Sequence, residues 1–133
     1  MNYFAMSIFP IFLVSLTSSF HTGLGWAAVL LGIGFIIFVH ELGHFLLAKR
    51  EKVKVEAFAL GFGFPLIRKK WGETEYRLNV LPLGGYVKMA GELPGDETTG
   101  SPDEFLSKKP GQRARILVAG VLMNFIFGFL SVI

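Results

Sequence analysis

The 133-residue chain contains no cysteine, which excludes disulfide frameworks, iron–sulfur clusters and thiolate zinc sites. Basic residues are absent from both ends, because all thirteen lysines and arginines lie between Lys49 and Arg115. Only 17% of the residues are charged and 52% are apolar, and fourteen are phenylalanine. This composition excludes a disordered chain, which would be rich in charge and poor in aromatic residues.

One acidic residue lies outside the charged middle of the chain. Glu41 is within residues 23–48, an otherwise uncharged apolar run, whereas the other nine acidic residues lie between Lys49 and Arg115. A run of this length without a polar stripe predicts a transmembrane helix rather than the core helix of a soluble protein. Lys49 and Arg50 follow directly, which predicts that this end of the helix faces the cytoplasm.

Residues 115–133 predict a second transmembrane helix, again with its basic flank toward the middle of the chain. Because this run reaches the last residue, we expect the chain to be part of a longer protein. Residues 1–22 form an apolar extension without the basic start of a secretory signal. We expect an interfacial or short additional hydrophobic segment there, with His21 as a solvated loop residue.

The middle of the chain alternates apolar and polar residues, a pattern typical of strands. We predict a membrane-associated β region at residues 49–90, with short strands at 53–58, 66–71, 75–80 and 86–89. Gly72-Glu73-Thr74 is the expected hairpin turn, and residues 91–114 are the expected polar loop. The predicted fold class is an α-helical membrane protein with a small β-hairpin or sheet inserted between two transmembrane helices.

The chemistry is carried by His40-Glu41-Leu42-Gly43-His44. Residues i and i+4 share one helix face, so both imidazoles can reach one zinc ion and Glu41 can act as general base on a bound water. A carboxylate inside a membrane costs about 2.5–3.5 kcal/mol and needs a partner. The alternative is a Glu–His hydrogen bond that serves helix packing or a proton relay.

The segments from Phe38 to Gly63 and from Tyr76 to Glu92, with Ala119-Gly120 and Asn124, resemble the site-2 proteases, and most closely the bacterial regulator-of-sigma-E protease type. The resemblance implies an intramembrane zinc metalloprotease of the bacterial cytoplasmic membrane. It implies Zn²⁺ on His40 and His44, Glu41 as base, and substrates such as anti-sigma factors or signal-peptide remnants. A PDZ region and further helices are expected downstream.

Two departures from the family pattern are visible. The third zinc ligand of the family is an Asp in a Leu-Asp-Gly motif, which this sequence lacks, and Asp96 and Asp103 in the polar loop are poor substitutes. We therefore expect weak zinc binding and no complete protease activity from this chain alone. Val121 also stands where the family usually has proline after Ala-Gly.

The predicted substrate-binding residues lie in three places. Gly61-Phe62-Gly63 is a turn or, by the resemblance, part of a membrane-dipping hairpin near the active site, with Gly61 and Gly63 controlling substrate access. Asn124 forms a helix–helix hydrogen bond or, by the resemblance, contacts the substrate. The third place is a hypothetical strand edge that would pair with an unwound substrate; it includes Asn79, Gly84, Gly85, Tyr86, Val87, Lys88 and Met89.

Three hypotheses for the function of the chain remain. The first is the N-terminal part of an intramembrane zinc endopeptidase. The second is a non-catalytic membrane module that binds partners through a β edge, and the third, disfavoured by the long apolar runs, is a soluble zincin. The basic clusters are predicted to contact anionic membrane lipid, and the nine acidic residues among them argue against nucleic acid.

Overall fold

The computed structural model describes residues 3–93 and 98–132, with side chains from Thr22 onward. The element order is α1 (Tyr3–Arg50), β1 (Val55–Trp71), β2 (Thr74–Met89) and α2 (Pro110–Leu130). Two helices therefore flank a two-stranded antiparallel sheet, as the fold-class prediction required. Asp96 lies outside the described residues, as does the side chain of His21.

The helices begin earlier than predicted. The α1 backbone is helical from Tyr3, across the boundary expected near residue 22. Helix α2 begins at Pro110, five residues before the predicted start, because proline fits the first helical position and the Gln112 side chain accepts a hydrogen bond from the Lys109 N–H at 3.2 Å. The start of α2 is therefore set by its capping residues, whereas hydropathy predicted a start five residues too late.

The strands are longer than predicted, and the predicted breaks are bends. Gly61 and Gly63 have φ of 83° and 87°, and Gly84 has φ of 111°, yet pairing continues through Phe62 with Leu81 and Pro65 with Asn79. Left-handed glycines and bulges redirect a strand without ending it. Gly72 and Glu73 form the predicted tight turn, since β1 ends at Trp71 and β2 begins at Thr74.

The first part of β1 has partners on both sides. On one side, Ala57–Leu60 pair with Gly85–Lys88, and the residue numbers of the two segments run in opposite directions. On the other side, the same residues pair with Glu75–Leu78, and there the residue numbers rise together. The long strands thus fold back so that the start of β1 is central and the end of β2 forms an edge. The remainder of β1 is largely exposed, up to Trp71 at 78%.

Aromatic side chains attach the sheet to α1. The Phe58 ring lies 5.8 Å from the ring of Phe38 and 4.9 Å from that of Phe45, with Tyr76 6.1 Å from Phe45. Phe38 and Phe45 lie two turns apart on α1, on either side of the His-Glu pair in sequence. A buried cluster of Ala48, Val53, Val55, Met89, Phe105 and Ile116 joins the end of α1 to the sheet and α2. The β2 edge is thereby held beside the histidine-bearing turns.

Two helical segments are long and apolar enough to cross a membrane: Thr22–Arg50, with a mean hydropathy of 2.2, and Pro110–Leu130, with 1.6. Only 11% and 17% of their apolar windows are buried inside the structure, which is low for core helices. Arg115 and Gln112 at the start of α2 both contact Glu51 just beyond α1, at 2.8 and 2.9 Å. The basic ends of the two helices therefore lie on the same side.

Candidate active site

The imidazoles of His40 and His44 face each other on one side of α1. Their Nε2 atoms are 3.1 Å apart, and their ring centroids are 4.8 Å apart. Two nitrogens that each lie ~2.0–2.1 Å from one tetrahedral zinc ion are separated by about this distance. The predicted i, i+4 pair is thus brought together at a spacing that suits a shared metal.

The outer nitrogen of each ring contacts helix α2. Nδ1 of His44 lies 2.7 Å from the carbonyl oxygen of Ile116, and Nδ1 of His40 lies 3.3 Å from Nδ2 of Asn124. A backbone carbonyl only accepts hydrogen bonds, so Nδ1 of His44 carries a proton, and in the neutral form of the ring the lone pair is then at Nε2. Partners of this kind fix the orientation of histidines that bind metals.

Glycines allow the two helices to cross closely at the histidines. A Cβ on Gly43 would collide with the Ala119 carbonyl oxygen and lie 3.0 Å from the Gly120 Cα. A Cβ on Gly120 would lie 2.5 Å from Nε2 of His44 and 2.7 Å from Nε2 of His40. The absence of a side chain at position 120 therefore leaves the volume in front of both ligand nitrogens open.

Glu41 faces the edge of the sheet. The backbone N–H of Val87 is directed at its carboxylate, and a Cβ on Gly85 would lie 3.6 Å from the Glu41 Cγ. The N–H of Ala90 donates to the Lys54 carbonyl on the β1 side at 2.9 Å, so the alternate amides of Met89 and Val87 point outward. The Met89 N–H contacts Oε2 of Glu92 at 3.3 Å. Two outward amides of the predicted edge therefore already face carboxylates.

Other predicted substrate residues have internal contacts. Asn79 is 4% exposed, and its Nδ2 donates to the Gly61 carbonyl at 2.8 Å, which fastens the bend containing Gly61 and Gly63. Gly84 packs on the Phe62 ring. The substrate contacts of these residues remain predictions.

The end of β2 is occupied in a similar way. The Tyr86 hydroxyl accepts a hydrogen bond from Arg77 at 3.0 Å, and Lys88 pairs with Glu56 at 2.9 Å. The Met89 side chain is buried in the core. The predicted pairing of Met89 with a substrate concerns its backbone and stays a prediction. Any substrate contact here would be made chiefly by the backbone.

Ile116 and Gly120 belong to the site, yet sequence reasoning assigned them no chemical role. Ile116 contacts His44 through its backbone carbonyl, and the identity of a side chain gives no sign of such a contact. Gly120 gave a signal, since Ala119-Gly120 with Asn124 was part of the family resemblance, but its contact with the ligand nitrogens required the helix crossing.

The residues fit zinc in part. Two oriented imidazoles, an adjacent carboxylate and an open volume at Gly120 suit a catalytic zinc ion, which takes three protein ligands and a water. Among residues 3–93 and 98–132, no group of three or more His, Cys, Asp or Glu side chains converges on one point. Asp103 bonds Ser101 within its own loop, as expected of a poor substitute ligand.

A His-Glu-x-x-His motif whose two Nε2 atoms lie 3.1 Å apart on a long apolar helix is typical of zinc metalloproteases. Residues 28–133 match the model of Peptidase family M50, the site-2 protease family, and the chain belongs to that family. The predicted family and the predicted Zn²⁺ cofactor are both confirmed.

Relatives support the same class. The chain is 42% identical over 114 residues to a protein of Chlamydia trachomatis, 45% over 97 residues to one of Clostridium acetobutylicum and 47% over 105 residues to one of Campylobacter jejuni, each named "Putative zinc metalloprotease". These matches cover 75%, 73% and 77% of this chain, but only 18%, 28% and 28% of the relatives. The chain therefore spans less than a third of their length.

Proposed function

We propose that the chain is the N-terminal, zinc-binding part of an intramembrane endopeptidase that cleaves transmembrane protein substrates, as in regulated intramembrane proteolysis. The observation that carries the proposal is the 3.1 Å approach of the two Nε2 atoms beside Glu41, in front of a glycine that leaves the metal position open. Family membership supports the same chemistry. Anti-sigma factors and signal-peptide remnants are the proposed substrate classes.

His40 and His44 would hold the zinc ion through Nε2. When bound, zinc lowers the pKa of a coordinated water and polarises a substrate carbonyl. Glu41 would accept a proton from the attacking water and return it to the amine leaving group as the peptide bond breaks. The Ile116 carbonyl holds the His44 ring by its Nδ1–H, so that Nε2 stays directed at the site.

The proposed location is the bacterial cytoplasmic membrane, with the chain crossing it twice. The basic ends of α1 and α2 lie together, which by the positive-inside tendency favours the cytoplasmic side. His44 precedes Lys49 by five residues, so the site would lie roughly 7–8 Å inside that boundary. Anionic lipid headgroups are the expected partners of the basic residues.

The substrate would be bound as an extended strand. A transmembrane helix hides its peptide bonds in internal hydrogen bonds, so its cleavage requires local unwinding and replacement partners. The amides of Val87 and Met89 point outward at the edge of β2, Val87 toward Glu41 and Met89 toward Glu92. A substrate strand that pairs there would bring a peptide bond next to the histidines.

The test is cleavage of a reporter transmembrane segment by the full-length protein, with the wild type compared with Glu41→Gln. This substitution keeps the shape of the side chain but removes the base, so cleavage should fall at least 100-fold. A matched control is Glu73→Gln at the hairpin turn, which should cleave normally. Undiminished cleavage by the Glu41 variant would contradict the proposed mechanism.

The second candidate is a non-catalytic membrane module that binds partners through the same β2 edge. It is favoured by the lack of a third converging ligand among the described residues. Binding of the reporter segment without any cleavage by the wild-type protein would select it. A downstream helix that carries an Asp in Leu-Asp-Gly, beyond an intervening PDZ region, would favour the peptidase.

A further inference from the structure

Three hydrogen bonds connect α2 to both histidines in an unbroken series. Nδ2 of Asn124 faces Nδ1 of His40 at 3.3 Å, Nε2 of His40 faces Nε2 of His44 at 3.1 Å, and Nδ1 of His44 faces the Ile116 carbonyl at 2.7 Å. The series begins and ends on the same face of α2, because Ile116 and Asn124 lie eight residues apart with Gly120 midway.

The carbonyl at one end determines the protons along the series. It requires a proton on Nδ1 of His44, so with both rings in the neutral form Nε2 of His44 accepts. Nε2 of His40 is then the donor in the contact between the rings, and Nδ1 of His40 accepts from the Asn124 amide. This arrangement uses Nε2 of His40 as a donor, whereas a metal ligand at that atom needs a free lone pair.

When Nε2 of His40 binds a metal, the ring proton must be on Nδ1, and Nδ1–H needs an acceptor. Oδ1 of Asn124 is buried and has no hydrogen-bond partner among the described residues. Half a turn of the amide exchanges Oδ1 and Nδ2 at nearly the same positions. Oδ1 would then meet Nδ1–H of His40.

We propose that Asn124 is a positioning residue for the zinc ligand His40 rather than a substrate contact: its amide donates to Nδ1 in one orientation and, once turned, accepts from Nδ1–H, which supports the tautomer that leaves Nε2 free for a metal. This inference rests on the proposed zinc site. An amide suits the task because it both donates and accepts without charge. An aspartate could only accept, and its charge would be costly within the apolar helix.

The proposal concerns the ring nitrogen that points away from the metal position. Outer partners of metal-binding histidines typically change metal affinity by 10–100-fold when they are removed. Ile116 supplies such a partner for His44 through its backbone, which no side-chain substitution removes. Asn124 supplies the partner for His40 through its side chain, so it can be tested by mutation.

The experiment is a Zn²⁺ titration of the full chain in lipid nanodiscs, with Co²⁺ absorption as a second readout of the ligand field. Asn124→Leu removes both hydrogen-bonding roles at similar size and should weaken Zn²⁺ binding about 10–100-fold. Asn124→Asp retains the acceptor and should weaken Zn²⁺ binding less than Asn124→Leu does. The matched control Met123→Leu, on the adjacent face of α2, should bind like the wild type.

A spectroscopic measurement keeps the test independent of variant folding. In wild-type chain labelled with ¹⁵N-histidine, Zn²⁺ should leave a proton on Nδ1 of His40, coupled to the Asn124 side chain. The inference about Asn124 would be overturned if Asn124→Leu bound Zn²⁺ as tightly as Met123→Leu. It would also be overturned if Nδ1 of His40 carried no proton in the zinc-bound wild type. Neither result would contradict the proposed function. If the wild type bound Zn²⁺ no more tightly than His40→Ala, the proposal that His40 and His44 hold zinc would fail as well.

Discussion

Gly120 packs so closely against His44 that a Cβ at position 120 would lie 2.5 Å from Nε2 of the imidazole. The same Cβ would lie 2.7 Å from Nε2 of His40. Gly120 therefore lies directly in front of both Nε2 atoms, where a side chain would fill the space that the proposed metal needs.

Gly120→Ala is expected to abolish Zn²⁺ binding while both helices still form, because its methyl group would occupy the volume between the ligand nitrogens. Gly128→Ala is the matched control, since nothing lies within 4 Å of a Cβ there. Zn²⁺ titration and circular dichroism of both variants in nanodiscs measure the effect. Equal Zn²⁺ affinity of the two variants would refute this account of Gly120.

Gly43→Ala is expected to loosen the crossing of α1 and α2, because the added methyl group would meet the Ala119 carbonyl. Overpacking of this kind typically costs about 1–3 kcal/mol. The comparison is with Gly32→Ala, whose added Cβ has open space. Reversible unfolding in detergent should show a lower stability for Gly43→Ala only, and similar stabilities would mean that the crossing can adjust.

Val87→Pro is expected to reduce reporter cleavage by the full-length protein at least tenfold, since it removes the outward N–H beside Glu41 without removing a hydrogen bond of the β1–β2 ladder. Val87→Ala shortens the side chain but keeps the N–H, and it should cleave normally. Crosslinking between the β2 edge and the reporter separates binding from catalysis. If the proline variant cleaves as fast as the alanine variant, strand addition at this edge is wrong.

The stability of the folded polar loop depends on pH through the carboxyl group of Glu104. Hydrogen bonds from the Thr99 hydroxyl, then from backbone N–H groups of Thr99 and Gly100, hold the pKa of this carboxyl below its ordinary value of 4.5. A depressed pKa stabilises the folded loop fully above pH 4.5, and the contribution is lost as the pH falls through the lowered pKa.

The amide resonances of Thr99 and Gly100 should therefore shift on acidification below pH 4.5. In Glu104→Gln they should already be displaced at pH 7 and respond little to acid. NMR titration of both proteins measures this. An unchanged acid response in the Gln variant would assign the transition to another group.

Much of the site could be predicted from local sequence. The i, i+4 spacing of His40 and His44 dictates a shared helix face, and the 3.1 Å approach of their Nε2 atoms matches it. The Gly72-Glu73 turn followed from residue preference. The strand break predicted at Gly61–Pro65 was wrong, because left-handed glycines bent a strand that still pairs through Phe62 and Pro65.

The roles of the residues around the histidines required contacts between distant segments. Asn124 was predicted near the site, but its partner, Nδ1 of His40, lies 84 residues away. The outward direction of the Val87 amide depends on which side of β2 pairs with β1. No local pattern encodes either relationship.

Hydropathy, the charge boundary, the strand-like alternation and the His-Glu-x-x-His spacing by themselves determined two long apolar helices, a sheet between them and two histidines on one helix face, because these features depend on neighbours close in sequence. The tertiary structure alone decided that Gly120 lies in front of both Nε2 atoms, that Ile116 and Asn124 contact the outer ring nitrogens, and that the β2 edge meets Glu41. Those contacts arise from helix crossing and strand register, which depend on how surfaces far apart in the chain fit together.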